Sequence, residues 1–295
     1  MKRFLFIPKI DIHNANALSS PYTIGFPAMT AWLGGAHALE RNLKTMGYSD
    51  ICFKSMAVIC HHIDLQTYRG NGDYVYSIVA TGNPLDKNGD RPSFIEEARC
   101  HLNVSLVIEC ENLGIINYDE FVQEVNLLVK GKLKLAGGDI LNCRVPELVE
   151  VDDDTSSRKL LRRLMPGYCL VERRDLLKQA MEEGNDCIDA LLDYIKVNHR
   201  SEINDDGTVE WTSSRKEDGW IVPIATGFHG ITDLGKAENQ RDPEIPHRFA
   251  ESIVTLGEFV MPYRITDLDT MLWHYHVDLN NNLYLCQQNQ PYSII

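Results

Sequence analysis

No Cys-x-x-Cys pair occurs in these 295 residues, although there are eight cysteines, at positions 52, 60, 100, 110, 143, 169, 187 and 286. That spacing excludes a zinc ribbon, and the lack of a regular cysteine framework points to reduced thiols in a reducing compartment. No apolar run approaches the length of a membrane span. The start, Met1-Lys2-Arg3-Phe4, stays apolar only briefly before Pro8, too short for the core of a signal peptide. A cytoplasmic location without membrane contact is the expectation. Positive charge is scarce: 29 Lys and Arg stand against 42 Asp and Glu, a net charge of −13. Unspecific adhesion to nucleic acid or anionic lipid is thereby excluded, and any nucleic-acid site must be local. Gly-x-x-x-x-Gly-Lys-Ser/Thr, His-Glu-x-x-His and Gly-x-Ser-x-Gly are all missing, which argues against nucleotide hydrolysis, zinc proteolysis and serine hydrolysis. Internal repeats and low-complexity tracts are missing too.

What is present is a globular composition, 44% hydrophobic, with length for one large domain or two ordinary ones. Its basic residues are unevenly spread. Met1 to Gly70 holds Lys2, Arg3, Lys9, Arg41, Lys44, Lys54 and Arg69 against Asp11, Glu40, Asp50 and Asp64, and is net positive.

Phe4 to His13 reads as a strand in which Lys9, Asp11 and His13 face one way and Ile10 and Ile12 the other. Pro8 marks an edge or a bulge. Asp11 to Pro21 is crowded with Asn, Ser and His, side chains that donate and accept hydrogen bonds at once; a capped turn explains the same composition. Met29, Trp32, Ala36, Leu39, Leu43 and Met46 form one stripe of a helix stopped by Gly47. Ile51 to Gln66 has strand-like density. From about residue 70 to 95, Gly70-Asn71-Gly72-Asp73, Gly82-Asn83-Pro84 and Lys87-Asn88-Gly89-Asp90 flank the apolar run Tyr74 to Ala80, a protruding hairpin or a tolerated surface loop.

Arg99 to Glu109 alternates cleanly: Leu102, Val104, Leu106 and Ile108 on one face, Arg99, His101, Asn103 and Ser105 on a polar, partly basic face that can meet RNA. Phe121, Val122, Val125, Leu128 and Val129 lie at helical spacing, and Lys132 to Leu135 reads as a short basic strand entering the glycine loop at Gly137-Gly138. The order β, α, β, hairpin, β, α, β is that of an RNA-recognition-motif-like (ferredoxin-like) sheet with an inserted thumb. Beyond Glu150 the character shifts to helices and polar loops. Asp152 to Pro166 reads as a helix, acidic first and basic last through Arg158, Lys159, Arg162 and Arg163, a pattern the helix dipole explains without a ligand. Ser201 to Gly219 and Gly235 to Pro246 read as loops, Gly219 to Phe228 as a buried strand, Arg248 to Val260 as a helix, and Asn282 to Gln287 as a last strand. The fold class is α+β, with a core over 1–150 and a C-terminal α/β elaboration over 151–295.

His61-His62 and His274-Tyr275-His276 offer imidazoles, yet neighbouring strand positions point to opposite faces and neither pair has an evident third ligand. No metal or other cofactor is expected. His13, His37, His61 and His101 can in principle serve as acid and base on a ribose 2′-hydroxyl. RNA binding without catalysis asks less: a basic strand face, backbone amides at glycine turns, and side chains that reach base edges and 2′-hydroxyls. Lys132, Lys134, the Gly137-Gly138 turn, the Arg99, His101 and Asn103 face and the Asn14 to Ser20 turn supply these.

Taken in order, Phe6-Ile7-Pro8-Lys9, Asn14 to Pro21, Gly25-Phe26-Pro27, His37-Ala38-Leu39, Asn83-Pro84-Leu85, Glu96-Glu97-Ala98-Arg99 with His101-Leu102, Leu135-Ala136-Gly137-Gly138, Gly219 to Ile224 and Leu272 to His276 resemble the second Csy subunit of subtype I-F CRISPR surveillance complexes. The matched blocks span nearly the whole chain. The resemblance implies a RAMP-superfamily protein that is not an enzyme, pairs with the large Csy subunit at the tail of the complex, grips the 5′ handle of the CRISPR RNA and abuts the first backbone subunit. Target DNA is then met through the assembled complex. It also implies Asn14, Asn16, Ser19, Ser20, Arg41, Arg99, His101, Lys132, Lys134, Gly137 and Gly138 as handle-binding residues. Two other readings stay open: a metal-independent RAMP endoribonuclease acting on repeat RNA through His13, His37 or His101, and a purely structural clamp of the large subunit.

Overall fold

Burial of the apolar run Phe4 to Ile7 sets the position of the first strand, β1 (Lys2–Asn16), at the centre of a sheet. The computed structural model describes residues 1–79, 85–91, 97–114, 116–240 and 242–289. Pro8 has no N–H to give a neighbouring strand, and the register of β1 slips between Ile7 and Ile10, where Lys9 takes a φ of 51°. The bulge is therefore real, while an edge position is not: β1 is paired on both sides. The chain continues through the small hairpin β2 (Leu18–Ser20) and β3 (Thr23–Ile24) into α1 (Met29–Thr45). Met29, Trp32, Ala36, Leu39 and Leu43 are buried, but Met46 falls at the C-cap and is exposed, so the stripe ends one turn early. Gly47, at φ 110°, turns the chain away.

Next come β4 (Cys52–Leu65), the short pair β5 (Thr67–Tyr68) and β6 (Ser77–Ile78), and β7 (Arg99–Glu111). Thr67 and Tyr68 face Ile78 and Ser77, the root of the expected thumb; among the described residues of the run Tyr74 to Ala80, Ser77–Ile78 alone is strand. Gly82-Asn83-Pro84 and Ser93 lie outside the described residues. α2 (Tyr118–Gly131) is opened by Asn117, whose side chain accepts from the Asp119 and Glu120 N–H groups, and buries Phe121, Val125, Leu128 and Val129. Lys132 is the C-cap of this helix, not part of a strand; the basic strand shrinks to β8 (Lys134–Leu135), followed by β9 (Gly138–Asn142) and β10 (Glu147–Val151). In the sheet the order runs β4, β7, β1, β9, with every neighbour antiparallel.

The C-terminal part is richer in strands than its polarity suggests. After α3 (Asp154–Arg163), capped by Asp153 and Ser156, come β11 (Tyr168–Glu172), α4 (Arg174–Glu182), α5 (Cys187–Ile195), β12 (Asn198–Ile203), β13 (Val209–Ser214), β14 (Ile221–Gly230), β15 (Ala250–Val260), β16 (Trp273–Asp278) and β17 (Leu283–Gln288). The segment Arg248 to Val260, expected as a helix, is thus mostly the strand β15. Its β-branched Ile253, Val254, Thr255 and Val260 suit a strand, and it is paired on both sides, by β11 and β14. Ser201 to Gly219 is not a loop throughout: β12 and β13 form a hairpin whose twelve residues are all exposed. β4 joins this part to the sheet, pairing with β11 through Cys60 and Ile59 and with β16 through Met56. The path β4, β16, β17, β14, β15, β11 therefore closes on itself.

Two cores sandwich the central strands. On one face Leu102, Val104, Leu106 and Ile108 pack with α1 and α2; on the other, Phe4, Phe6, Ala57, Ile59 and Val107 meet Leu160 and Leu161 of α3, Leu164 at its C-cap, and Val171, Val260 and Leu268. Hence the second face of β7 is not polar along its length. Arg99, His101 and Asn103 are half-exposed, but Ser105 and Val107 are buried.

Candidate nucleic-acid interface

The half-exposed end of that face gathers most of the candidate residues. Strand register builds it row by row. Asn142, Asp11, Asn103 and His62 stand side by side on β9, β1, β7 and β4, and the next row is Asp139, His13, His101 and Asp64. Asp11 accepts a hydrogen bond from the Asn103 side-chain amide. The rings of His13 and His101 stack at 3.8 Å and 10°. A second irregularity in β1 makes this stack: Asn14 takes a φ of 56° and its N–H donates to His101 Nδ1 at 3.1 Å. Asn is among the few residues that accept such a backbone readily. The third row begins with Asn16 beside Arg99.

The glycine turn sits next to this stack. Leu135 and Gly138 pair directly, so Ala136 (φ 49°) and Gly137 (φ 75°) form a two-residue turn with both residues left-handed. Its two glycines do different work. A Cβ on Gly138 would stand 2.6 Å from Ile12 Cγ2, 2.8 Å from the His13 oxygen and 2.9 Å from the Ala15 nitrogen, so Gly138 lets β9 approach β1. Gly137 has open space around it, which suits close approach of a phosphate to backbone. The Ala136 carbonyl accepts from the Asn16 N–H at 2.8 Å and ties turn and strand together.

The cations here arrive with carboxylate partners. Lys134 pairs with Asp139 at 2.5 Å, which holds the Asp139 carboxyl below the usual carboxylate range, and Arg99 pairs with Glu97. Exposed pairs of this kind add little to stability, because water and salt screen them. Lys132 is exposed and has no ion pair within 4 Å among the described residues. Asn16 spends its side chain on its own turn, accepting from Leu18 N–H and donating to Leu18 O at 3.1 Å each. Ser19 reaches Phe26 O at 3.5 Å. Ser20 is buried, sharing a 2.8 Å hydrogen bond with Thr23 and accepting from Tyr22 N–H, so its hydroxyl holds the β2–β3 turn. Arg41 lies elsewhere. Its neighbour Glu40 accepts from Phe53 N–H at 2.6 Å and Lys44 at 2.7 Å, at the start of β4. That is ten residues, roughly 33 Å along the strand, before Ile63, the partner of Leu102.

One group was not singled out by sequence pattern. Beyond Ser105 the same face opens into a cleft lined by Phe6, Pro8, Lys9, Ser105, Arg144, Val145, Glu147, Arg163 and Met165. His61 stands behind it, bonded to Ser105 Oγ at 2.7 Å and to the Pro166 carbonyl. The only signal for it in the sequence was the Pro8-Lys9 bulge; Arg144 belongs to no periodic pattern. As for chemistry, His101 Nδ1 already accepts a backbone N–H, and burial, with Lys9 and Arg144 adding to it, pushes the His61 imidazole below its ordinary range. Among the described residues no group of three or more His, Cys, Asp or Glu side chains is placed to hold a metal ion. All eight cysteines are unpaired, and burial pushes the Cys60 thiol up to about 11 and those of Cys100, Cys110 and Cys286 up to about 12. Among the described residues no helix is long and apolar enough to cross a membrane.

Comparison with known proteins agrees with the order of sequence blocks. The family model described as CRISPR-associated protein (Cas_Csy2) matches residues 5–286. A CRISPR-associated protein Csy2 of Pseudomonas aeruginosa (strain UCBPP-PA14) is 34% identical over 311 residues, covering 95% of this chain and 93% of that protein. The match runs through both cores, the glycine turn and the strands that close on β4, and on it the chain belongs to the Csy2 family, the second Csy subunit of subtype I-F CRISPR systems.

Proposed function

We propose that this chain is a non-catalytic subunit that anchors the 5′ handle of the CRISPR RNA and pairs with the large Csy subunit at the tail of the surveillance complex, against the first backbone subunit. Target DNA reaches it only through the assembled complex. The observation that carries this is the convergence, on one sheet end of a Csy2-family chain, of Arg99, His101, Asn14, Lys134 and the open Gly137 turn. The strand order β4, β7, β1, β9 supports an RNA-recognition-motif-like core over 1–150 carrying an elaboration over 151–295. In this reading Arg99, Lys132 and Lys134 hold phosphates, Gly137 offers backbone amides, the stacked His13 and His101 rings present an edge to a base, and the hairpin rooted at β5 and β6 separates handle from guide.

The test is co-expression with the large subunit and a CRISPR RNA, followed by purification through this chain. Recovery of a stoichiometric partner with intact handle-bearing RNA is expected. Charge reversal by Lys132→Glu with Lys134→Glu should weaken RNA retention and flatten its salt dependence by about 0.7 for each phosphate that is no longer neutralised. Unchanged retention favours the structural clamp, and a discrete cut in repeat RNA incubated with the purified chain favours the endoribonuclease.

A further inference from the structure

We propose that the cleft between the β1 bulge and α3 is an oxyanion site, in which Lys9 and Arg144 hold one phosphodiester group of the bound strand. The inference deepens the RNA-binding reading above and rests on it.

Two cations are built into this cleft against their mutual repulsion. The Lys9 N–H donates to Ser105 Oγ at 2.9 Å, and the Arg144 N–H donates to the Pro8 carbonyl at 3.1 Å. The backbones that carry the two charges are thus fixed side by side before any ligand arrives, which lowers the ordering cost of binding. A third cation, Arg163, is spoken for: it pairs with Glu147 and lies over the Phe6 ring at 5.0 Å. That leaves Lys9 and Arg144 without a carboxylate within 4 Å among the described residues. Burial and the nearby Arg144 guanidinium both push the Lys9 amine below its ordinary range, the strain that an anion in the cleft would relieve.

The support behind Lys9 is a single directed chain. Pro166 O can only accept, so His61 Nδ1 carries the proton and Nε2 accepts from the Ser105 hydroxyl, which in turn accepts from Lys9 N–H. Gly167 makes room for this ring; a Cβ there would stand 2.6 Å from His61 Nδ1. The cleft encloses about 410 Å³, within the range of small-ligand pockets. It continues the polar face of β7, with Ser105 four residues, roughly 13 Å, beyond His101. A strand held at the histidine stack can therefore run into it.

The experiment compares the wild-type chain with Lys9→Asn combined with Arg144→Gln, each purified in complex with CRISPR RNA; Asn accepts the left-handed backbone of position 9. The double variant should keep its RNA at low salt, with a salt slope shallower by about 0.7, the share of one phosphate on a single strand. A neutral methylphosphonate placed at successive handle positions should reproduce that change at one position in the wild type and add nothing at that position in the variant. Inorganic phosphate, against chloride at equal ionic strength, should raise the Tm of the wild-type chain alone and leave that of the variant unmoved. If wild type and variant share one salt slope and one phosphate response, the cleft is overturned while handle anchoring stands. If phosphate protects the wild type but the wild-type complex holds no RNA, the oxyanion site survives and the anchoring role fails. Loss of a protein partner from the variant with an unchanged RNA slope would assign the cleft to an acidic side chain and overturn the proposal. Should the double variant fold poorly, Arg144→Gln alone, at an exposed position, carries the same test.

Discussion

At the level of single residues, the glycine turn shows how little sequence distinguishes packing from access. Gly137 and Gly138 are adjacent and chemically identical, yet one faces open space and the other lies against β1. Gly138→Ala forces backbone apart at His13 and Ala15 and should cost about 1–3 kcal/mol, as overpacking does. Gly137→Ala meets nothing but must keep a φ of 75°, a cost of about 1–2 kcal/mol. Urea unfolding of the two variants checks that order. RNA retention should fall in both, through a displaced His13–His101 stack in the first and a shielded backbone in the second. The stack itself was only half legible. Alternation on β7 placed His101 and Arg99 on one face, but His13 reaches His101 because β1 is irregular between Ile12 and Ala15, and a two-residue period carries no information about such a break. Arg41 and Ser20 show the converse. Residue type and motif position marked them, while the fold puts the one at the far end of β4 and buries the other.

Among the elements, α1 and β7 were readable from apolar periodicity and β1, β4 and β14 from the density of their apolar residues, whereas β15 and the β12–β13 hairpin were not. The stripe of α1 follows from one buried face, and on β7 burial alternates from Arg99 to Val104 before both faces are covered. β15 is flanked by β11 and β14, and buries its last six residues without alternation, and such a continuous apolar run does not by itself separate strand from helix. The hairpin of β12 and β13 fails for the opposite reason. All twelve of its residues are exposed, including Trp211 and Ile203, and a chain without a buried face has no pattern to show. An isolated two-stranded hairpin is marginal in water. Its base is held by Lys216, which lies 4.4 Å over the Tyr194 ring and 3.9 Å from Asp193. Replacing residues 198–214 by a short Gly-Ser turn should therefore change stability by less than about 0.5 kcal/mol, the range of surface changes, leaving Tm within a few degrees. A large drop in Tm would mean that the hairpin packs on its own chain.

For the molecule as a whole, the sheet makes the two parts of the sequence depend on each other. The strands before and after Val151 meet at β4, and the second face of the central strands is covered by α3 and by the strands that close on β4. A buried ion pair between Arg173, at the start of α4, and Glu258 on β15 adds a polar tie inside the closed path. The charge of the chain fits the same division of labour: with a net charge of −13, the proposed affinity for RNA would have to come from a few cations held in place by strands, and those strands need both parts. Ending the chain after Val151 would uncover Phe4, Phe6, Ile59 and Val107, each at most 3% exposed in the full fold. At about 1.5–3 kcal/mol for each side chain buried, the loss is about 6–12 kcal/mol, the size of a typical domain's whole stability of about 5–15 kcal/mol. It would also leave one edge of β4 without β11 and β16, open to pairing with other chains. The fragment 1–151 is therefore expected to aggregate or be digested rapidly in limited proteolysis, whereas the full chain unfolds in one transition followed by circular dichroism. A soluble, protease-resistant fragment would show that the first core is self-sufficient, and would allow the residues proposed to bind the handle to be studied apart from everything that follows them.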